Sequence, residues 1–455
     1  MSQNQPQTQV QPQDRQQHDS SSWSCDVWLL LAARFVRMLA FGSSSLILAL
    51  FLSDIGLSPV EVGSFLTSTL VGDFFLSLVL TFVADNTLGR RNTLRLGAIS
   101  MIISGVVFAT TNNTKLLLVA AIFGVVSPSG GEIGPFKAVE ESILAGLVPK
   151  EDRPHLFGWY VVIGSLAASL ATFLGGWLNE VVNVDGGSNG GLMAYYRWVF
   201  LAYAVLGCVK LLLSLALSKR CEPRSRRPVS PPQAQSNEAT EREPLLSHTQ
   251  AAQASASDPE VAATTPAEQT FGLGRFAGLC LLFAIDSLGS GMATQSITSW
   301  FLSRKFNTDL SSIGSIISAA LLVSSVSNLF SASLAKRLGL VQTMVLTHLP
   351  SSILLALLPL PSSLAWTSTL IVGRALTSGM DQAPRSAFLS AFVPDHHRTR
   401  VLGLVNTIKT LAQSAGPTLT GWLTDQGHMG WAFHLAGSLK AGYDLGLLAA
   451  FSAVR

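Results

Sequence analysis

Val148-Pro149-Lys150-Glu151-Asp152-Arg153 and Val393-Pro394-Asp395-His396-His397-Arg398 are two copies of one hydrophilic turn, and the residues around each copy extend the match. Continuing without a gap, Gly158 meets Gly403, Ser169 meets Ser414, and Gly176-Trp177-Leu178 meets Gly421-Trp422-Leu423. Upstream, Glu132-Ile133-Gly134-Pro135 matches Asp381-Gln382-Ala383-Pro384 after one helical turn of length difference. Apolar helices aligned by chance share Gly or Leu, but not a series of Pro, Arg, Gly and Trp at fixed spacing. The chain is therefore an internal duplication.

What is duplicated follows from composition. The 455 residues are 48% hydrophobic and only 13% charged, against about 25% charge in ordinary globular chains, so the excess apolar surface must face lipid. A spanning helix needs about 20 apolar residues, and roughly six such stretches lie on each side of one polar interruption. They centre on Val27–Leu52, Val60–Ala84, Leu94–Thr110, Leu116–Leu147, Phe157–Leu178 and Trp198–Leu217, then on Phe276–Phe301, Ile313–Leu334, Thr343–Leu360, Leu364–Leu389, Leu402–Leu423 and Trp431–Val454. The expected fold class is an all-α membrane protein of twelve transmembrane helices in two six-helix bundles. Residues 1–25 read as a disordered cytosolic tail, 26–217 as the first bundle, 218–273 as a disordered cytosolic linker rich in Pro, Ser, Gln and charge, and 274–455 as the second bundle.

Arg90, Arg91, Arg95, Lys150, Arg153, Lys219, Arg220, Lys336, Arg337, Arg398 and Arg400 fall on the side shared with the tail and the linker, so both termini are expected in the cytosol. The opposite side carries chiefly Lys115, Arg197, Arg304 and Lys305, with an Asn112-Asn113-Thr114 sequon on a short loop. The net charge of +3 is spread over juxtamembrane clusters and leaves no nucleic-acid footprint. Cys25, Cys208, Cys221 and Cys280 lie too far apart for a disulfide framework or a zinc site, and no cofactor is expected. Cys25 and Cys221 border hydrophobic segments, a setting that permits palmitoylation. Without a phosphate-binding Gly-x-x-x-x-Gly-Lys motif, a His-Glu-x-x-His pair or a nucleophile motif, neither an ATP-driven pump nor an enzyme is expected.

This layout resembles the major facilitator superfamily over nearly the whole chain outside the tail and linker. Asp85-Asn-Thr-Leu-Gly89-Arg90-Arg91 resembles that superfamily's signature between helices 2 and 3, with one extra residue before the Gly and Thr81 where the signature usually has Gly. Its second-half counterpart, Ala335-Lys336-Arg337-Leu-Gly339-Leu340, keeps the Gly and lacks the Asp. Gly416-Pro417-Thr-Leu-Thr-Gly421, with Gly175-Gly176 in the first half, is similar to the Gly-Pro helix of proton-driven export carriers; the sugar-carrier signature after helix 6 is absent. Thr347-His348-Leu-Pro-Ser-Ser352 and Asp381-Gln-Ala-Pro-Arg385 resemble a poorly characterised branch. The resemblance implies a secondary transporter working by alternating access, with helices 1, 4, 7 and 10 lining a midplane cavity. The expected partners are a small-molecule substrate, the proton as coupling ion and the lipid bilayer. Export of a small solute or toxic compound is the expected direction; a facilitative uniporter or importer and a non-transporting membrane sensor are the alternatives.

Charged side chains at membrane depth cost about 2.5–3.5 kcal/mol each on insertion scales, so they mark candidate sites. Arg37, Glu132, Asp286, Arg374 and Asp381 are the expected substrate and ion contacts. Arg37 either pairs with Asp286 across the bundles or, like Arg34, snorkels to the headgroups. Ser127 to Pro135 breaks helix 4 around Glu132; Glu132 and Asp381 either face the cavity or pair with Lys137 and Arg385. Asp73 faces Lys409 and Gln413 of helix 11 in the family fold, and Asp85 with Arg90 and Arg91 is the expected cytosolic gate network. Lys440 and Asp444, four residues apart, are expected to neutralise each other on a peripheral helix, and His348 to be a packing residue or a proton carrier. Glu241-Arg-Glu-Pro-Leu245-Leu246 resembles an acidic dileucine signal, which leaves the plasma membrane and a vacuolar or endosomal membrane as destinations.

Overall fold

The computed structural model of the chain describes residues 23–83, 88–124, 126, 135–149, 152–182, 189–222, 273–382, 384–385, 388–389 and 398–451. Every regular element among them is helical. The first half holds α1 (Cys25–Asp54), α2 (Pro59–Val83), α3 (Arg90–Thr110), α4 (Thr114–Gly124), α5 (Pro135–Leu147), α6 (Arg153–Val182) and α7 (Asn189–Ala216). The second half holds α8 (Leu273–Met292), α9 (Gln295–Phe306), α10 (Leu310–Leu338), α11 (Leu340–Leu357), α12 (Leu364–Ser378), α13 (Arg398–Asp425) and α14 (Met429–Phe451). Among the described residues, seven helices (α1, α2, α3, α6, α7, α10 and α11) are long and apolar enough to cross a membrane, and α8 with α9, bent by 45°, makes an eighth span. The pair α4 and α5 stands at the fourth expected helix, α12 at the tenth, and α13 and α14 at the last two. The dileucine stretch, Asp85 and Glu132 lie outside the described residues, as do most of the tail and the linker.

Helix starts are set by local chemistry. At α2 the Ser58 amide donates to Glu61 Oε2 (2.8 Å) and the Glu61 amide to Ser58 Oγ (3.3 Å), a reciprocal capping box. Asp309 caps α10 by accepting from the Ser312 amide at 3.0 Å. Gly89 and Gly339, aligned between the two halves by sequence, have φ of +82° and +90° and each opens the next helix. That backbone is open to glycine and strained for other residues. Glu222, just past α7, closes the α3 end: its carboxylate accepts from the Arg90 and Arg91 amides at 2.8 and 3.1 Å. Nearby, Asp26 accepts from the Ser218 amide (2.8 Å) and hydroxyl (2.6 Å). Cys221 is buried beside Asp26, and burial, aided by that carboxylate, pushes its thiol up to about 12. Of the two cysteines that border hydrophobic segments, only Cys25 is exposed.

The repeat is written into the seam between the bundles. A Cβ on Gly63 of α2 would collide with the Pro417 carbonyl and crowd Gly421, and one on Gly421 would collide with the Pro59 carbonyl. At the equivalent crossing of α6 and α10, a Cβ on Gly176 would meet the Leu310 carbonyl at 2.7 Å and Gly314 at 3.2 Å. Gly176 and Gly421 are the pair aligned by sequence, and the same duplication places Gly63 opposite Gly314. Hydroxyls tie the glycine crossings: Thr418 Oγ1 donates to Thr67 Oγ1 at 2.7 Å, and Ser169 and Ser318 hydroxyls lie 2.8 Å apart. At the bend between α8 and α9, the Met292 carbonyl accepts from Thr420 Oγ1 at 2.9 Å, and Ser296 Oγ donates to the Ser45 carbonyl of α1 at 2.7 Å.

All of these contacts lie toward the end of the bundles remote from the start of α1. At the other end Gly158 and Gly403, again a sequence-aligned pair, meet open space. Each lies eighteen residues, five helical turns, before Gly176 or Gly421 and so on the same helix face. The bundles therefore touch at one end and part at the other.

Two measurements check this geometry. Thr67→Cys with Thr418→Cys is expected to lose both thiols to a cross-link under mild oxidation, reversed by reductant; two thiols that stay free would contradict the closed seam. At pH 7 a maleimide is expected to label Cys25 at least about tenfold faster than Cys221, because the thiolate is the nucleophile; equal rates would contradict the buried position of Cys221.

Candidate functional site

A cavity of about 640 Å³ opens between the bundles, walled by α8, α10, α11, α12, α13 and α14 and faced from the first bundle by α2 and α5. Its size suits a small molecule, but its lining does not follow the usual apolar pattern: among the described residues it is made almost wholly of charged, hydroxyl and amide side chains. Asp286, Arg374, Asp381 and Lys409, expected as site residues, are all in the wall, as are Gln413 and His348.

Asp286 is the hub. Its Oδ1 accepts from Lys440 Nζ at 2.7 Å and its Oδ2 from Arg385 Nη1 at 2.9 Å. Arg385 also pairs with Asp381 one turn before it. His348 Nε2 lies 3.5 Å from Asp286 Oδ1, while its Nδ1 sits 2.9 Å from both oxygens of Asp444, which Ser352 Oγ joins at 3.1 Å. Three elements far apart in sequence, α8, α11 and α14, thus share one chain of titratable groups from the cavity to buried Asp444.

Two expectations are corrected here. Arg37 and Asp286 do not pair across the cavity, because each finds a closer counter-ion inside its own bundle. Lys440 and Asp444 do not neutralise each other either: at four-residue spacing both face inward, and Lys440 reaches Asp286 while Asp444 reaches His348.

The first bundle holds a counterpart network. Arg37 Nη2 donates to Glu140 Oε2 (2.7 Å) and to the Tyr160 hydroxyl (3.2 Å), and that hydroxyl donates to the same Glu140 oxygen at 2.7 Å. Lys210 Nζ lies 3.5 Å from Glu140 Oε1. Arg34 does not snorkel; it is 6% exposed, its guanidinium 4.5 Å from the Tyr160 ring centre. The step of 245 that carries Val148 onto Val393 also carries Glu140 onto Arg385. Both bundles therefore place charges on their first, fourth and sixth helices, with the first two signs exchanged: Arg37, Glu140 and Lys210 against Asp286, Arg385 and Lys440.

The remaining expected residues are placed as follows. Asp73 is buried in α2, one turn before Ser77, which reaches the wall. Arg90 and Arg91 are held through their amides by Glu222, and Lys137 pairs with Glu141 at 3.8 Å. Glu140, Tyr160 and Lys210 escaped the sequence reading. A lone lysine in the apolar run Val209-Lys210-Leu211 was the available signal for one of them, and extending the repeat eight residues upstream of Val148 was the signal for Glu140.

Residues 30–274 and 279–452 match the Major Facilitator Superfamily. The chain is 32% identical over 434 residues, 95% of each partner, to the uncharacterized membrane protein YJR124C of Saccharomyces cerevisiae (strain ATCC 204508 / S288c). Its fold is similar to that of the nucleoside transporter NupG, with a TM-score of 0.65 at 15% identity, covering 94% of this chain and 99% of that one. It is also similar to a D-xylose-proton symporter, with a TM-score of 0.67 at 15% identity over 94% and 98% of the two chains.

Glu140→Gln leaves Arg37 and Lys210 buried without their countercharge. Thermal unfolding of the purified protein is expected to show a loss of about 3–5 kcal/mol, partly restored by adding Lys210→Met. An unchanged Tm would contradict the network.

Proposed function

The chain belongs to the Major Facilitator Superfamily and is a secondary transporter working by alternating access, and on that premise we propose that it is a proton-coupled carrier of a small hydrophilic solute, with His348 holding the proton. The observation that carries this reading is the position of His348 between two carboxylates at the cavity wall. An imidazole can carry its proton on either ring nitrogen or on both, and here one nitrogen faces Asp286 and the other Asp444. Neutral, it has one N–H and leaves one ring nitrogen facing a carboxylate oxygen; protonated, it donates to Asp286 and Asp444 at once. Loading and unloading that proton changes the hold on Asp286, for which Lys440 and Arg385 also compete. Asp286, Arg374 and Asp381 are the proposed solute and ion contacts on this wall, with Lys409 and Asp73 as gating residues. Arg37 acts from within the first bundle, where Glu140 holds it.

Export is the proposed direction. With the termini in the cytosol, as the distribution of basic residues indicates, the end at which Gly158 and Gly403 stand free is the cytosolic end, the state in which an exporter takes up its solute. Closing that end brings Gly158 and Gly403 toward the opposite bundle while the Gly63–Gly421 and Gly176–Gly314 crossings part. The polar wall favours a hydrophilic solute over an apolar toxic compound.

The test is solute-dependent proton movement in proteoliposomes, screened with small carboxylates, phosphates, polyols and amines in both vesicle orientations. A class of solute that moves protons in the wild type, with a loss on the order of tenfold, about 1.4 kcal/mol, in His348→Gln, is the expected result. Solute flux that ignores an imposed pH gradient would leave a facilitator.

A further inference from the structure

Among its described residues the cavity wall carries five cations and three carboxylates. The carboxylates are all engaged: Asp286 and Asp381 by Arg385 and Lys440, and Glu141 by Lys137. Within this described wall the cations thus outnumber the carboxylates by two. Arg374 is one of these wall cations. It projects from α12 into the cavity, makes no ion pair among the described residues, and its Nε is buried without a hydrogen-bond partner.

We propose that the solute, on the reading of this chain as a carrier, is a small hydrophilic oxyanion whose carboxylate or phosphate group is held by Arg374. The planar guanidinium presents paired N–H groups at the spacing of two carboxylate or phosphate oxygens. The surplus charge concentrates anions in the cleft. The same wall supplies hydroxyls, among them Ser287, Ser324, Ser351 and Ser378, that pair with the further oxygens of a hydroxy acid or a sugar phosphate. No Phe, Tyr or Trp is in the described wall, whose one ring is the His348 imidazole, so a base or a flat apolar compound finds no broad aromatic face there.

Ser378 lies one turn beyond Arg374 on the same wall, and Ser378→Cys reports on the site without any transport step; the parent protein sets the background from native cysteines. Modification by an anionic sulfonatoethyl methanethiosulfonate and by a cationic trimethylammonium analogue is compared, each normalised to its rate with a free thiol. The anionic reagent is expected to be favoured about tenfold or more, a preference kept by Arg374→Lys and reduced by Arg374→Gln. A preference for the cation, no preference, or a thiol that reacts with neither reagent overturns the proposal.

A second arm measures protection of the same thiol against neutral N-ethylmaleimide by inorganic phosphate, glycerol phosphate and gluconate, with sorbitol as the uncharged control. Each is used at about 10 mM, tenfold above a Kd of ~1 mM. Protection by the phosphates or by gluconate assigns the anion class, whereas protection by none of them, or equally by sorbitol, overturns the proposal. Because neither arm needs a gradient, a protein that binds anions but moves nothing would lose the carrier reading and keep the site. A pH-driven carrier unprotected by any anion would keep the carrier reading and lose the site.

Discussion

A charge placed inside a membrane must find its countercharge within the protein, and the arrangement around Asp286 is the result of that demand. One carboxylate from α8 is shared by Lys440 from α14, Arg385 beyond α12 and His348 from α11. The same helices also share a buried apolar cluster that includes Leu279, Phe283, Met344, Val345, Tyr443 and Leu447, so packing and ion pairing act together there. The first bundle answers the same demand with the reverse charge at two of the three positions, Arg37 on α1 and Glu140 on α5, backed by Lys210 on α7. A duplicated scaffold thus retains the places for charge while exchanging the signs.

The printed ion pairs among the described residues each lie within one bundle, whereas apolar packing runs through both bundles and across the seam between them. Glycine against backbone carbonyl, and hydroxyl against hydroxyl, make up the seam at Gly63, Gly176, Gly314 and Gly421. Such contacts allow close approach without interlocking large side chains, so they separate with little repacking. Ion networks kept inside the bundles, with hydroxyl and close backbone contacts at the seam, suit two bodies that rock about a central site.

The cavity sits where these two regimes meet. Its second-bundle wall is the exposed face of the Asp286 network, so a solute entering it touches the same ions that hold α8, α11 and α14 together. In the proposed reading, proton and solute act on one shared set of charges, and this gives coupling a physical route: any group that draws Arg385 or Lys440 away changes what Asp286 needs from His348.

How much of this was legible in the sequence follows from which physical constraints are local. Membrane class, the two-fold repeat and the paired positions of Gly89 and Gly339, Gly158 and Gly403, and Gly176 and Gly421 were readable, because hydropathy and backbone geometry act over a few residues and leave their mark in order along the chain. Asp286, Arg374, Asp381 and Lys409 were picked out for the same reason: a charge in an apolar helix is visible wherever it points. Partner choice was not readable. Arg37 looked able to meet Asp286 or the headgroups, Lys440 looked committed to Asp444, and Glu140 and Lys210 drew no notice. Helical spacing says which residues share a face, but only the packing of α1 on α6 and α7, and of α8 on α13 and α14, decides which face meets which. The sequence by itself determined where charge enters the membrane; the tertiary structure alone decided which charges neutralise one another, because Coulomb energy depends on distances that only helix packing sets.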